Sequence, residues 1–178
     1  MALARRVAAE FSDKPVPPEV VLSLGCLQES SGDVRTAEAS YRKVLSLRAD
    51  DPVAQNNLAM LLAKRGESLD EALKLAQGAA KSGDGKVVSF YDTLAFVLLQ
   101  RKEYAAALET LDAALKLKPD HLWCQLRLTD VLAQSGQTDK ARAALKTLEK
   151  ELAAQQGVSD EMSSHLADLR SRLGRQES

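Results

Sequence analysis

Isoleucine is absent from this sequence, and Phe, Trp and Tyr together make up only 4% of its 178 residues. Strands draw on β-branched and aromatic side chains, so the shortage argues against a sheet-built core. Cysteine is scarce too. Cys26 and Cys124 stand nearly a hundred residues apart and form no Cys-x-x-Cys pair, which leaves metal and redox motifs unsupported. Two unstapled thiols fit a reducing compartment, which favours a cytoplasmic location, and a soluble chain is expected from the lack of a long apolar segment. No surplus of one charge exists: the net charge is −1 and the pI about 6.2. A nucleic-acid binder would show a basic stripe, and a membrane-surface protein a polybasic cluster; neither is present. Long apolar runs are also missing. The opening "MALARRVAAEF" is too short and too charged to span a bilayer, so no direct membrane insertion is expected.

What the sequence does have is Ala and Leu, both strong helix formers, within 45% hydrophobic and 28% charged residues. These are enough for one ordinary domain or a short repeat array. A Leu followed by a small residue recurs at Leu24-Gly25, Leu58-Ala59, Leu94-Ala95 and Leu128-Thr129, in steps of 34, 36 and 34 residues. After each pair comes a breaker or polar turn and then an Ala: Gly32 to Ala37, Gly66 to Ala72, Lys102 to Ala107, Gly136 to Ala141. A second apolar helix follows, carrying Tyr41 and Val44, then Ala76 and Ala79, Leu111 and Ala114, Leu145 and Leu148. The pattern predicts a helix, a tight turn and a helix, four times over. Helices approach closely only where contact positions lack bulk, which is the task of the small residues. Gly32, Gly66 and Gly136 supply turns with positive φ. Asp51 before Pro52 reads as a cap followed by a first-turn proline, and Pro18 holds the same place one unit earlier.

These residues resemble the tetratricopeptide repeat family of helical-hairpin solenoids, over about residues 18–150. The third unit matches best, through Tyr91, Leu94, Ala95, Tyr104, Ala107, Ala114 and Pro119, with Lys102 in place of the turn glycine. In the other units the family's early aromatic is replaced by Val21, Gln55 and Gln125. The resemblance implies an all-α, right-handed superhelix read as one domain. Its expected parts are repeats at 18–51, 52–87, 88–121 and 122–156, a capping helix or truncated repeat at 1–17, and a C-terminal capping helix and tail at 157–178. In "SDEMSSHLADLRSRL", Met162, Leu166, Leu169 and Leu173 form one apolar stripe suited to covering the last open face.

Residues for catalysis are few. "SGDGK" at 82–86 has the wrong spacing and context for a phosphate loop, and Asp84 is nearly alone as a calcium ligand. His121 and His165 read as solvated residues, and both cysteines as packing groups. No carboxylate pair has the contrasting environments that acid–base work needs. The sequence therefore predicts no enzyme and no cofactor.

What remains is a surface. In this family the first helices line a concave groove. Helical spacing selects Leu22, Cys26 and Glu29; then Val53, Asn56, Met60 and Ala63; then Ser89, Asp92, Phe96 and Leu99; then Trp123, Leu126 and Asp130. Leu22, Met60, Phe96, Trp123 and Leu126 would make that line unusually apolar for a surface. Asn56 and Asp92 are positioned to fix the backbone of an extended peptide. The expected partner is a protein or peptide. Two competing readings are that the C-terminal helix or a second copy fills the groove, or that Phe96 and Trp123 turn into the core. Chaperone-adaptor members of the family clamp a terminal carboxylate with Lys, Arg and Asn. Only Asn56 and Asn57 survive of that set, the other places being Leu22, Cys26, Met60, Asp92 and Phe96, so a free carboxylate terminus is not the expected ligand. The alternative functions are homo-oligomerisation, a regulatory arm of a larger enzyme, or a part of an envelope machine. "NNLAMLLA" and "DTLAFVLLQ" also resemble bacterial solenoids attached to exopolysaccharide systems.

Overall fold

A computed structural model describes residues 16–82, 85–153 and 159–174. Residues 1–15 of the expected N-terminal cap or truncated repeat at 1–17, Asp84 of "SGDGK" and residues 175–178 of the tail lie outside the described residues. Among those described, nine helices and no strand occur. The chain divides into two compact units, Met1–Ser82 and Gly83–Ser178. The first holds the hairpins α1 (Pro18–Ser30) with α2 (Val34–Leu47) and α3 (Pro52–Arg65) with α4 (Leu69–Lys81). The second holds α5 (Val88–Gln100) with α6 (Tyr104–Leu117), α7 (Leu122–Gln134) with α8 (Thr138–Ala153), and a last helix α9 (Asp160–Gly174). The all-α hairpin architecture is the one the sequence predicts.

Each hairpin turns by the same chemistry. One residue in the turn after each first helix has positive φ: Gly32 at 82°, Gly66 at 67°, Lys102 at 61° and Gly136 at 78°. Its N–H donates three residues back and the next N–H five residues back. Gly66 N reaches Ala63 O and Glu67 N reaches Leu62 O; Lys102 N reaches Leu99 O and Glu103 N reaches Leu98 O. These paired hydrogen bonds satisfy carbonyls that a helix end leaves open. Helix starts are also built locally. The carboxylates of Asp33 and Asp51 accept from Thr36 N and Ala54 N, and Pro52 occupies the first turn of α3.

The small positions are buried as expected: Gly25, Ala59, Ala95 and Thr129 on first helices, Ala37, Ala72, Ala107 and Ala141 on second ones. At Gly25 the approach is so close that a Cβ would stand 2.7 Å from Tyr41 Cε1. Tyr41 is sealed there, and its hydroxyl donates to Glu29 Oε2 at 2.7 Å. Burial, then the Glu29 carboxylate, push its phenol well above the ordinary tyrosine range. On the surface of the first unit, Arg42 bridges Glu38 and Glu71, and Arg65 also reaches Glu38. The Arg42 hydrogen bonds hold both carboxyls below their usual range.

Two of the replaced aromatics, at Gln55 and Gln125, find an explanation in a second repeated device. Tyr91 donates its hydroxyl to Gly85 O at 2.9 Å, six residues earlier in the inter-repeat loop. Gln55 does the same to Ala49 O at 3.0 Å, and Gln125 to Pro119 O at 2.8 Å, each through Nε2. A glutamine amide therefore satisfies the loop carbonyl that a phenol satisfies in the best-matching unit.

Candidate functional site

The residues selected for a groove sit on first helices. In the first unit, Cys26 is exposed and Leu22 half-buried on α1, while Asn56 and Met60 are half-buried on α3. A polar bridge joins the two helices. Asn57 Nδ2 donates to Cys26 Sγ at 3.4 Å, and Asn56 Nδ2 donates to Asn57 Oδ1 at 3.2 Å. Neutral amides and a thiol beside Leu22 and Met60 make a strip suited to polypeptide backbone and apolar side chains, not to a charged ligand. Ala63, chosen by the same helical phase, is buried.

The second unit departs further from expectation. Leu99 and Leu126 are both core residues. Helix α5 is apolar on most sides and buries Phe90, Ala95, Val97, Leu98 and Leu99, so its closed face is wider than a single stripe. Leu126 belongs to a cluster with Leu145, Leu148 and Leu152 of α8 and with Met162, Leu166, Leu169 and Leu173 of α9. The C-terminal helix thus lays its predicted stripe over this end of the line. Trp123 is half-buried and packs partly against that cluster; Phe96 is half-buried on α5.

Asp92 is not free to hold a peptide backbone. It is buried, and its Oδ1 lies 3.2 Å from Nε of buried Arg127. The Arg127 guanidinium stacks over Phe96, 4.3 Å from the ring centroid, within reach of cation–π attraction. Asp130, also selected, is 2% exposed and accepts from two residues of α9, His165 Nε2 and Arg172 Nη2, the latter at 2.6 Å. Burial alone would raise the Asp130 carboxyl. The His165 and Arg172 bonds, with Arg127 nearby, more than offset this and hold it below its ordinary range. His165 is therefore a partner in a polar latch, where a solvated residue was expected. His121 caps α7, its Nδ1 accepting from Cys124 N at 3.3 Å. Burial pushes the Cys124 thiol up to about 12, as suits a packing residue.

Arg127 and Arg172 were not singled out in the sequence, and Asp130 and His165 were, but not as partners. The signal was present: Asp92 and Arg127 are 35 residues apart, about one repeat, which sets opposite charges at neighbouring places on successive first helices.

Among the described residues no helix is long and apolar enough to cross a membrane. Helix-turn-helix hairpins in a 34–36-residue register define a helical-repeat protein. Two family models described as tetratricopeptide repeat match residues 22–86 and 98–157, and the chain belongs to that family. It is 32% identical over 157 residues to the cellulose synthase operon protein C of Pseudomonas fluorescens, covering 84% of this chain and 12% of that protein. It is 33% identical over 141 residues to the protein of the same name from Xanthomonas axonopodis pv. citri, covering 75% and 9%. The chain thus spans only a small part of the length of either relative. Among solved structures it is similar to a thermophilic TPR protein in Thermus thermophilus, with a TM-score of 0.76 at 23% identity over 90% of this chain and 85% of that one. MamA from Desulfovibrio magneticus gives 0.69 at 18% identity over 79% and 78%. These two likenesses are of fold.

Proposed function

We propose that this chain is a protein-interaction scaffold that binds a partner peptide or helix through the open sides of its first helices. Leu22, Cys26, Asn56 and Met60 carry the contact in the first unit, Phe96 and Trp123 in the second. The observation behind the reading is the Phe96 and Arg127 stack. A large aromatic side chain is left partly open while Asp92 fixes the guanidinium over it. Such a pair loses little freedom on binding, and Arg and Trp are enriched among interface anchors. No catalytic step is assigned to these residues.

The test is the double variant F96A/W123A. It should keep its helical signal and a cooperative melt while losing the partner captured by the unaltered chain from extracts of the source organism. A melt weakened by several kcal/mol would make both side chains core residues and end the reading.

A narrower form places the scaffold in an exopolysaccharide-producing machine. The likeness to two cellulose synthase operon proteins C supports it. Deleting these residues in frame should then lower exopolysaccharide output; unchanged output would remove this form and leave the scaffold reading in place. Light scattering addresses self-association: a monomer at tens of micromolar counts against a homo-oligomerisation role.

A further inference from the structure

Helix α9 repeats the pattern of the first helices. Leu166 and Ala167 make a fifth Leu-small pair, and Gly174 follows that Leu at the distance at which Gly32, Gly66, Lys102 and Gly136 follow theirs. Its packing keeps the same register. The residue before the Leu meets the residue two places after the Leu of the preceding first helix: Asn57 donates to Cys26, Arg127 lies over Phe96, and His165 bonds Asp130. Met162 and Leu169 are buried at the places that Cys124 and Val131 fill on α7. One side of α9 differs. The small position after the Leu is buried in all four hairpins, at Gly25 directly against Tyr41 of the second helix. Ala167 is exposed. Asp160, Ser163, Arg170 and Gly174 share its face at helical spacing and are exposed too. Beside this stripe the α8–α9 groove holds two open hollows of about 330 and 480 Å³, the larger walled by Arg142, Leu145, Lys146 and Leu173.

What fits is an antiparallel helix with an acidic start. The second helix of a hairpin runs antiparallel to the first, so its first turn lies by the C-terminal end of its partner. At that end of α9 stand Arg142 and Lys146 of α8 together with Arg170, against one carboxylate, Glu149, which Arg170 already holds. Lys146 follows buried Ala141 as Arg42 follows buried Ala37, and Arg42 receives Glu71 from the first turn of α4 at 2.6 and 3.0 Å. Among the described helices, α1, α4, α8 and α9 carry an acid in the first turn. The first three are paired within their own hairpins, whereas α9 keeps its outer stripe open. We propose that a second copy of this chain supplies the helix: two α9 helices pair antiparallel about a two-fold axis at Ala167, each completing the other's unfinished hairpin. A two-fold interface must be self-complementary, and this stripe is. Ala167 meets itself, so no bulk holds the axes apart. Asp160 faces the Gly174 end of the other copy, where Arg142 and Lys146 stand. The stripe shares no residue with the surface proposed above, so the two readings fail separately.

Sedimentation equilibrium of the full chain tests this. One helix a side makes a small interface, so a dimer with a dissociation constant of about 10–100 μM is expected over a loading range of about 5–500 μM. Added salt should weaken it, because exposed charges carry part of the contact. A167W places its ring in solvent in the single molecule; it should melt like the unaltered chain and dimerise roughly tenfold or more weakly. D160K and K146E should each weaken the dimer by about tenfold, since the two-fold axis applies every change twice, and D160K/K146E should recover most of the loss. F96A/W123A should dimerise like the unaltered chain. The proposal is overturned by a monomer over the whole range, by a dimer indifferent to A167W, or by a D160K/K146E variant no tighter than either single change. A dimer lost in F96A/W123A would also overturn it, by placing the association on the other surface.

Discussion

Arg127 and Asp92 form an ion pair, 3.2 Å between Nε and Oδ1, with both side chains almost closed to solvent. The pair ties the first helix of one hairpin to the first helix of the next within the second unit. Its attraction must offset the loss of hydration on both charges, which buried pairs barely achieve. Removing one partner is another matter, because the other is then buried alone. R127A should cost about 3–5 kcal/mol in urea unfolding, whereas D92L/R127M should recover most of the loss. A neutral R127A would mean that the pair is hydrated and that Phe96 is held some other way.

Gly25 is required by Tyr41. An added Cβ would lie 2.7 and 2.9 Å from two ring carbons and 3.2 Å from Ser40 Cβ. Tyr41 cannot retreat, being fully buried and bonded to Glu29. Alanine would gain about 1 kcal/mol in helix propensity, yet overpacking of a closed site costs roughly 1–3 kcal/mol. G25A should therefore melt below the unaltered chain, and G25A/Y41L should regain part of the difference. A G25A variant more stable than its parent would show that the ring can move.

Lys102 holds the turn conformation that glycine holds in the other three hairpins. A left-handed backbone costs a residue with a Cβ about 1–2 kcal/mol, part of which is balanced by the greater freedom of glycine when unfolded. K102G should raise stability by about 0.5–1 kcal/mol in thermal or urea melts. The reverse change, G66A, has open space for its methyl and suffers from φ alone. It should lose about 1 kcal/mol. If both changes are silent, the turns relax at no cost.

These positions show what was legible in the sequence. The spacing of Leu-small pairs located every hairpin, because a turn of fixed geometry and a close helix contact demand the same residue types at each recurrence. That Lys102 would adopt the glycine conformation followed from position, not residue type. Gln55 and Gln125 looked like departures because an amide and a phenol share no composition class, although both can donate to the same carbonyl. The candidate surface was less legible. Helical phase places Leu99 and Leu126 beside Phe96 and Trp123, but phase cannot say how wide a buried face is or which face a later helix will cover. Asp92 was readable as a carboxylate, and its claim on Arg127 only through the repeat length.

The latch at Asp130 makes a prediction about acid. Its carboxylate faces Arg127 of its own helix and His165 and Arg172 of α9, and is held below its ordinary value of 3.8. A depressed folded pKa contributes stability that is complete above the unfolded value and is lost as pH falls through the folded one. Protonation would leave Arg172 and His165 without their shared acceptor and loosen α9 over Leu126, Leu145 and Leu148. Hydrogen exchange corrected for intrinsic rates should therefore show α9 losing protection as pH is lowered from about 5 toward 3, before α5 and α6 do. D130N should carry that loss at neutral pH, about 1–3 kcal/mol for a buried charge-assisted bond, and should show a flatter response below pH 5. Trp123, packed against the same cluster, provides a fluorescence readout of the opening. Equal acid sensitivity of α5 and α9, or a D130N variant that melts like its parent at pH 7, would mean that the apolar stripe alone holds the last helix.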